Sequence, residues 1–304
     1  MLPASGAQWE LHQGRQRLIV VQVGATLREF DVGGQAVLDG FPMDRMADGA
    51  RGQPLLPWPN RLADGRYEFE GQKLQLPIDE VERQNAIHGL TRWLNWTLAS
   101  HTSNAIRLEH LLHPRPGYPF TLALAIEYQL DDNGLTVRTH AHNRGQRPLP
   151  FGAGQHPYFT LGTPFVDDLI LEIPTSKRIE LHPRQRVPTG RIIEGEETDF
   201  RTPRPIGATI LDECYCDPRR DSDGRIRVRL ANPETGRTMT VWADNHYKYL
   251  QVFTGETLAP ERRRRGLAVE PMTCPPNAFR TQTDVVVLQP ERQLQLEWGV
   301  QVEN

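Results

Sequence analysis

Apolar and polar residues alternate with a period close to two along much of the chain, and turn dipeptides interrupt the alternation at short intervals. Leu18-Ile19-Val20-Val21-Gln22-Val23 begins the series, and a Gly33-Gly34 turn leads to the short apolar run Ala36-Val37-Leu38. Arg66-Tyr67-Glu68-Phe69 and Lys73-Leu74-Gln75-Leu76 place an apolar side chain at every second position, with Asp64-Gly65 before them and Glu70-Gly71 between them. That pattern predicts a hairpin with one wet face. Residues 122–130 and 135–139, joined by Asp131-Asp132-Asn133-Gly134, predict a second hairpin. Residues 225–230 and 238–242, on either side of Asn232-Pro233-Glu234-Thr235-Gly236, predict a third. The runs 283–288 and 294–302 are again β-rich, separated by Pro290 and Glu291-Arg292-Gln293. No stretch sustains an amphipathic helix beyond about three turns. With no linker-like segment, the expected architecture is all-β: one large antiparallel β-sandwich forming a single domain over residues 1–304.

Composition sharpens this picture. The 304 residues include Gly 25 and Pro 25, about one position in six against roughly one in eight in average usage, which disfavours a helix bundle or coiled coil. The net charge of -3 gives no global attraction to nucleic acid or to an anionic membrane, and no run of eighteen apolar residues is present. Three cysteines, Cys214, Cys216 and Cys274, are too few and odd in number for a disulfide framework. The segment Met1-Leu2-Pro3-Ala4-Ser5-Gly6-Ala7 lacks the basic head and apolar stretch of a secretory signal. The expectation is a cytoplasmic protein, monomeric or homodimeric.

Four loop-like segments set ionisable or bidentate side chains beside Gly or Pro, where a fixed backbone aims a side chain in one direction. They are Leu56-Pro57-Trp58-Pro59-Asn60-Arg61, Asn85-Ala86-Ile87-His88-Gly89, the stretch from Phe151 to Phe159 that contains His156-Pro157, and the stretch from Ala268 to Phe279 that contains Glu270-Pro271. A positioned acid and base are the natural reading. Taken singly, each has a structural alternative: a histidine held by local hydrogen bonds, Glu270 in a buried ion pair, Arg61 bracing the hairpin after it.

These residues resemble the aldose 1-epimerases, or mutarotases, of the galactose mutarotase-like superfamily. The likeness covers most of the chain and rests on Asn60-Arg61 before a hairpin, His88-Gly89 with Trp96 downstream, His156-Pro157-Tyr158-Phe159, Leu211-Asp212-Glu213-Cys214-Tyr215 and Val269-Glu270-Pro271-Met272-Thr273. The resemblance implies a β-supersandwich and cofactor-free interconversion of the α and β anomers of a free aldose, with a monosaccharide as the only partner and no metal. It also implies Glu270 as base, His156 as acid, His88 as hydrogen-bond donor near the ring oxygen, and Arg61, Asn60 and Asp212 as sugar-binding residues. Opening a hemiacetal requires one group to take the anomeric hydroxyl proton and another to protonate the ring oxygen. An imidazole with an ordinary pKa near 6.5 suits a step whose reverse swaps the roles. The expectation is that acid and base stand on different sides of the sugar and face one another across a monosaccharide-sized pocket. Trp58, Tyr158 or Phe253 would cover the sugar's apolar face, and for Asp212 a local turn cap remains the alternative.

Other features resolve less simply. His140-x-His142 shares a strand face, a metal-ligand spacing, but lacks a following carboxylate, which favours a solvated face. His88, His156 and Glu270 together are also a possible two-His-one-carboxylate metal set. Cys214-x-Cys216 has the wrong gap for a zinc knuckle. The Arg262-Arg263-Arg264-Arg265 run is a solvated turn or a phosphate contact. His88-Gly89-Leu90-Thr91-Arg92-Trp93 departs from the best-known mutarotases, and an arginine there is similar to hexose-6-phosphate mutarotase relatives. A sugar-phosphate mutarotase and a non-catalytic carbohydrate-binding module are therefore the alternatives to a free-aldose enzyme.

Overall fold

The computed structural model of the protein describes residues 3–303; Met1 and Leu2, at the head of the N-terminal segment, and Asn304 lie outside it. Two large antiparallel sheets dominate. The first has nine strands in the spatial order Thr97–His101, Ala105–Leu112, Leu122–Asp131, Gly134–Asn143, Gln293–Glu303, Thr238–Ala243, Ile226–Ala231, Ile170–Glu172 and Arg204–Pro205. In Leu122–Asp131, Leu122, Leu124, Ile126, Tyr128 and Leu130 are buried, while Glu127 and Gln129 on the other face pair with or accept from Arg138. The period-two pattern thus becomes one face in the core and one ion-paired face, as an antiparallel sheet with one solvated side requires.

The second large sheet runs Pro188–Ile193, Arg178–Leu181, Asp212–Tyr215, Tyr249–Phe253, Leu267–Met272, Gly154–Gln155 and Pro54–Leu55, with Tyr158–Phe159 also paired to Leu267–Met272. Here alternation has a different consequence. Tyr215, Leu250, Val252, Leu267 and Val269 join the main apolar core, so their neighbours Asp212, Gln251, Phe253 and Glu270 project from the opposite face. A four-stranded sheet, Gln8–Gln13, Gln16–Val21, Thr26–Val32 and Gln35–Ala36, flanks these two. One contiguous cluster of buried apolar side chains extends from Leu11 to Val300.

The predicted hairpins form. Arg66–Phe69 and Gln72–Gln75 pair across Glu70-Gly71, where φ values of 48° and 75° supply the twist that a two-residue hairpin turn needs. Leu122–Asp131 pairs with Gly134–Asn143 through Asp131↔Gly134, and Ile226–Ala231 pairs with Thr238–Ala243. The run 283–288 is strand only over Val286–Leu288. The reason is a long-range contact: Asp284 takes a φ of 52°, outside strand geometry, while its carboxylate accepts from the Tyr249 hydroxyl at 2.6 Å and pairs with Lys248. Among the described residues the single α-helix is Ala278–Thr281, and no helix is long and apolar enough to cross a membrane.

That short helix carries Phe279, which is buried against Trp58, Tyr67 and Tyr118 at ring-centroid distances of 5.6, 5.2 and 6.5 Å. It wedges the segment before Asn60-Arg61 against the core. Phe279→Ala is expected to destabilise the protein by about 3–5 kcal/mol, the range for deleting a fully buried aromatic side chain. Urea denaturation measures this, and a loss below about 1 kcal/mol would contradict the wedge.

Candidate active site

Glu270 lies in Leu267–Met272, directly opposite Gln251 of the neighbouring strand. His156 sits in the break between Gly154–Gln155 and Tyr158–Phe159, both paired to Leu267–Met272 on its other side. Its backbone is clamped, with His156 N donating to Gln53 O at 3.1 Å and His156 O accepting from Gly52 N at 2.8 Å. Glu270 and His156 are 2% and 5% exposed, and His156 Nε2 is 3.2 Å from Glu270 Oε1. The two groups are therefore in direct contact rather than facing one another across a gap. The sheet accounts for this: Glu270 lies on the strand to which the chain on either side of His156 is paired, which brings the two side chains together.

His88 and Asn60 lock two loops together. Arg61–Ala63 pairs with Asn85–Ile87, and beyond the pair His88 N donates to Asn60 O at 3.0 Å while Asn60 N donates to His88 Nδ1 at 3.2 Å. Accepting at Nδ1 fixes the neutral imidazole with its proton on Nε2, as a donor. Asn60 and His88 adopt φ values of 57° and 60°, followed by Gly89 at 75°. A Cβ at Gly89 would stand 2.0 Å from the Leu56 carbonyl oxygen, so only glycine fits. The His88 ring meets His156 edge-on at 5.4 Å.

These groups line a cavity of about 360 Å³, together with Arg61, Asp212, Gln251, Phe253, Arg92 and Trp93. All six expected site residues are thus brought together. Arg61 Nε donates to both Glu80 oxygens at 3.0 Å, so it braces the segment as well as lining the cavity. Asp212 begins a strand rather than capping a turn; its carboxylate pairs with Arg186 at 2.9 Å and accepts from Gln251 Nε2 at 2.8 Å. Gln251 Oε1 in turn accepts from Asn60 Nδ2 at 3.4 Å. Sequence reasoning passed over Gln251, although a polar residue inside the buried run Tyr249–Phe253 was a signal.

Several expectations change. Trp58 is buried against Phe279 and does not line the cavity, and Tyr158 is sandwiched between His156 at 5.0 Å and the Arg51 guanidinium at 4.1 Å. Tyr158 still lines the cavity, along with Phe253 and the 57%-exposed Trp93. The 262–265 run is occupied elsewhere: Arg262 binds Gly40 O and Asp39, Arg263 binds Leu258 O, Arg264 binds Asp167 and Gly207 O, and Arg265 binds Pro164 O. His140 and His142 are half-buried in a groove on the nine-stranded sheet rather than on a fully solvated face. The cysteines are free and buried, Cys214 and Cys216 packing with Ile179, Tyr249 and Met272. Among the described residues no three His, Cys, Asp or Glu side chains are grouped to hold a metal ion.

Burial dominates the electrostatics. It pushes the Glu270 carboxyl well above its ordinary value, reinforced by Asp212 and opposed by Arg61. It pulls His156 down to about 3, helped by Arg51, Arg92 and Arg61, and holds His88 well below 6.5, helped most by Arg92. Glu270 Oε2 and His156 Nδ1 are both buried with no hydrogen-bond partner in the protein. A carboxylate at the foot of a polar cavity, touching an imidazole and left with an unused oxygen, is equipped to move a proton to or from a bound hydroxylated molecule.

The antiparallel strands and their connections form the galactose mutarotase-like all-β fold. By superposition the chain is similar to the GalM/aldose epimerase homologue of C. elegans, with a TM-score of 0.87 at 18% identity over 98% of this chain and 99% of that one. It is also similar to the galactose 1-epimerase of Lactobacillus acidophilus, with a TM-score of 0.82 at 20% identity over 97% and 94%. The sequence profile of the aldose 1-epimerase family matches residues 7–301. Among curated relatives, the uncharacterized protein YihR of Escherichia coli is 32% identical over 94% of this chain and 90% of its own length. The galactose mutarotase of Rattus norvegicus is 26% identical over 66% and 60%. The chain belongs to the aldose 1-epimerase family.

The raised carboxyl gives a test of linkage. As pH rises from 4.5 through the folded value of Glu270, the unfolded chain loses a proton that the folded chain keeps, so this group lowers stability with rising pH. His156 acts oppositely, lowering stability as pH falls from 6.5 toward about 3. Glu270→Gln removes the first effect. Its stability relative to wild type is expected to increase between pH 5 and pH 8 in urea denaturation; a pH-independent difference would contradict the buried, destabilised carboxylate.

Proposed function

We propose that the protein is an aldose 1-epimerase that interconverts the α and β anomers of a free aldose. The observation that carries this reading is the buried Glu270–His156 contact, 3.2 Å long, at a cavity sized for a small ligand. Glu270 takes the proton of the anomeric hydroxyl while His156 protonates the ring oxygen, and the bond from the anomeric carbon to the ring oxygen breaks to give the open-chain aldehyde. Rotation about the adjacent carbon–carbon bond presents the other carbonyl face. On reclosure Glu270 returns its proton to the carbonyl oxygen and His156 takes one from the attacking hydroxyl, so no external proton is consumed.

Hydroxyl and ring-oxygen contacts supply the hydrogen bonds that Glu270 Oε2 and His156 lack in the free protein. They favour the tautomer of the pair with the proton on the imidazole. His88, a donor through Nε2, stabilises charge developing near the ring oxygen. Asp212, held by Arg186 and Gln251, accepts from sugar hydroxyls, and Arg61 offers its remaining guanidinium donors. Each charged hydrogen bond to the sugar contributes roughly 1.5–3 kcal/mol, enough for two or three to orient a monosaccharide.

Glu270→Gln is expected to lower the mutarotation rate of freshly dissolved α-aldoses, followed by polarimetry across glucose, galactose, xylose, arabinose and rhamnose, by at least about 100-fold, the lower end of what a positioned general base contributes. A rate near wild type in a folded variant would overturn the assignment. Sugar binding by calorimetry without any acceleration of anomer exchange in wild type would instead mark a non-catalytic carbohydrate-binding module.

A further inference from the structure

A side chain that moves a proton has to present its nitrogens in a fixed plane, and an imidazole usually takes that plane from a hydrogen bond at its second nitrogen. His156 has no such bond. Its Nε2 meets Glu270 Oε1 at 3.2 Å, but Nδ1 is buried without a partner. Because Nε2 lies close to the line of the Cβ–Cγ bond, a contact there restrains rotation about that bond only weakly, and the rotational preference of the ring itself is broad. The backbone clamp at Gln53 and Gly52 holds the chain but not the ring. What fixes the plane is therefore whatever packs on the faces and edge of the imidazole.

Tyr158 packs on the face. The two residues flank Pro157, whose ring restricts its φ, and their rings stack with planes 16° apart and centroids 5.0 Å apart, while His88 meets the imidazole edge-on. Tyr158 is in turn held from several directions. Its backbone pairs with Ala268, its carbonyl accepts from Asp39 N at 2.9 Å and its hydroxyl donates to Gly49 O at 3.1 Å. The Arg51 guanidinium lies 4.1 Å from the centre of its ring. Arg51 is buried and fixed by charge, with Nη1 2.7 Å from the Asp39 carboxylate and Nε 3.0 Å from that of Asp48. Arg262 completes the cluster, 3.3 Å from the Asp39 carboxylate and donating to Gly40 O at 2.6 Å. A buried guanidinium is costly unless paired, and here two carboxylates hold it where its flat cation is attracted to the π face of Tyr158.

We propose that Tyr158, braced by Arg51, is a positioning residue that sets the plane of the His156 imidazole for proton transfer. The kinetic consequence rests on the mutarotase reading; the effect on the ring rests on the packing. Without the tyrosine ring His156 turns about its Cβ–Cγ bond and no longer presents its nitrogens to Glu270 and the sugar together. Such misplacement slows the chemical step more than it weakens binding.

The test follows two quantities: anomer exchange by NMR on the aldose that wild type accelerates most, and the ring-proton signals of His156, identified by their loss in His156→Gln. In wild type those signals are expected upfield of their random-coil positions, because they lie over a tyrosine face; random-coil positions overturn the proposal before any further variant is made. Tyr158→Leu is expected to lower kcat at least about tenfold with KM within about threefold, and to move the signals downfield. Tyr158→Phe, which keeps the ring and loses the hydroxyl, is expected to recover most of that kcat and to keep the upfield signals. Arg51→Met removes the brace and serves if Tyr158→Leu fails to fold, with kcat falling, KM held and the same signals moving. A folded Tyr158→Leu that is less stable in urea but keeps wild-type kcat and signals overturns the proposal, as does a Tyr158→Phe as slow as Tyr158→Leu. If wild type accelerates no aldose, the mutarotase reading fails by itself. The His156 signals then decide alone: moved in Tyr158→Leu and kept in Tyr158→Phe they support the positioning role, and unmoved in both they overturn it.

Discussion

A carboxylic acid and an imidazole, both buried and 3.2 Å apart, form the contact around which the rest of the structure is arranged. Neither group is comfortable alone in that environment, since burial favours the neutral form of each. With Glu270 protonated and His156 neutral, the pair needs no net charge. Keeping them in register requires three chain segments: the strand bearing Glu270, the strand bearing Gln251 on one side, and the Gly154–Gln155 and Tyr158–Phe159 break bearing His156 on the other. The sheet supplies this rigidity through backbone hydrogen bonds, so the site does not rely on side-chain packing alone to hold its geometry.

Around the pair, polar side chains divide between holding and remaining available. Asn60 closes on the His88 loop, Gln251 bridges Asp212 to Asn60, and Arg51 is consumed by Asp39 and Asp48. By contrast Glu270 Oε2, His156 Nδ1 and Arg92 Nε are buried without partners. Folded proteins satisfy most buried polar atoms, and these three exceptions lie on residues that line one cavity. The glycine at 89 belongs to the same design: the approach of the His88 loop to Leu56 leaves no room for a side chain.

Much of the fold was legible because strand periodicity depends on neighbours in sequence. The hairpins at 66–75, 122–143 and 226–243 have turn residues whose conformational preferences act locally. The run 283–288 was misread over its first half because Thr283 and Asp284 look strand-compatible until Asp284 is drawn away by Tyr249 and Lys248, residues about 35 positions earlier. The surroundings of Trp58 and Tyr158 were hidden for the same kind of reason: Phe279 packs against one, and His156 with Arg51 packs against the other, which nonetheless lines the cavity. The four-arginine run suggested an anion site by composition, yet each of its side chains binds a backbone carbonyl or carboxylate from elsewhere in the chain.

By itself the sequence determined the all-β character, the positions of the hairpins and the chemistry carried by the loops, which depend on side-chain type, spacing and local backbone preference; the six residues that gather at the cavity were named by the family resemblance its motifs carry. Tertiary structure alone decided that Glu270 and His156 touch instead of standing apart, that Asp212 is held between Arg186 and Gln251, and which carboxylates and carbonyls neutralise each arginine. Those outcomes depend on distances between residues tens to hundreds of positions apart, and whether a charge is neutralised is a property of everything that surrounds it.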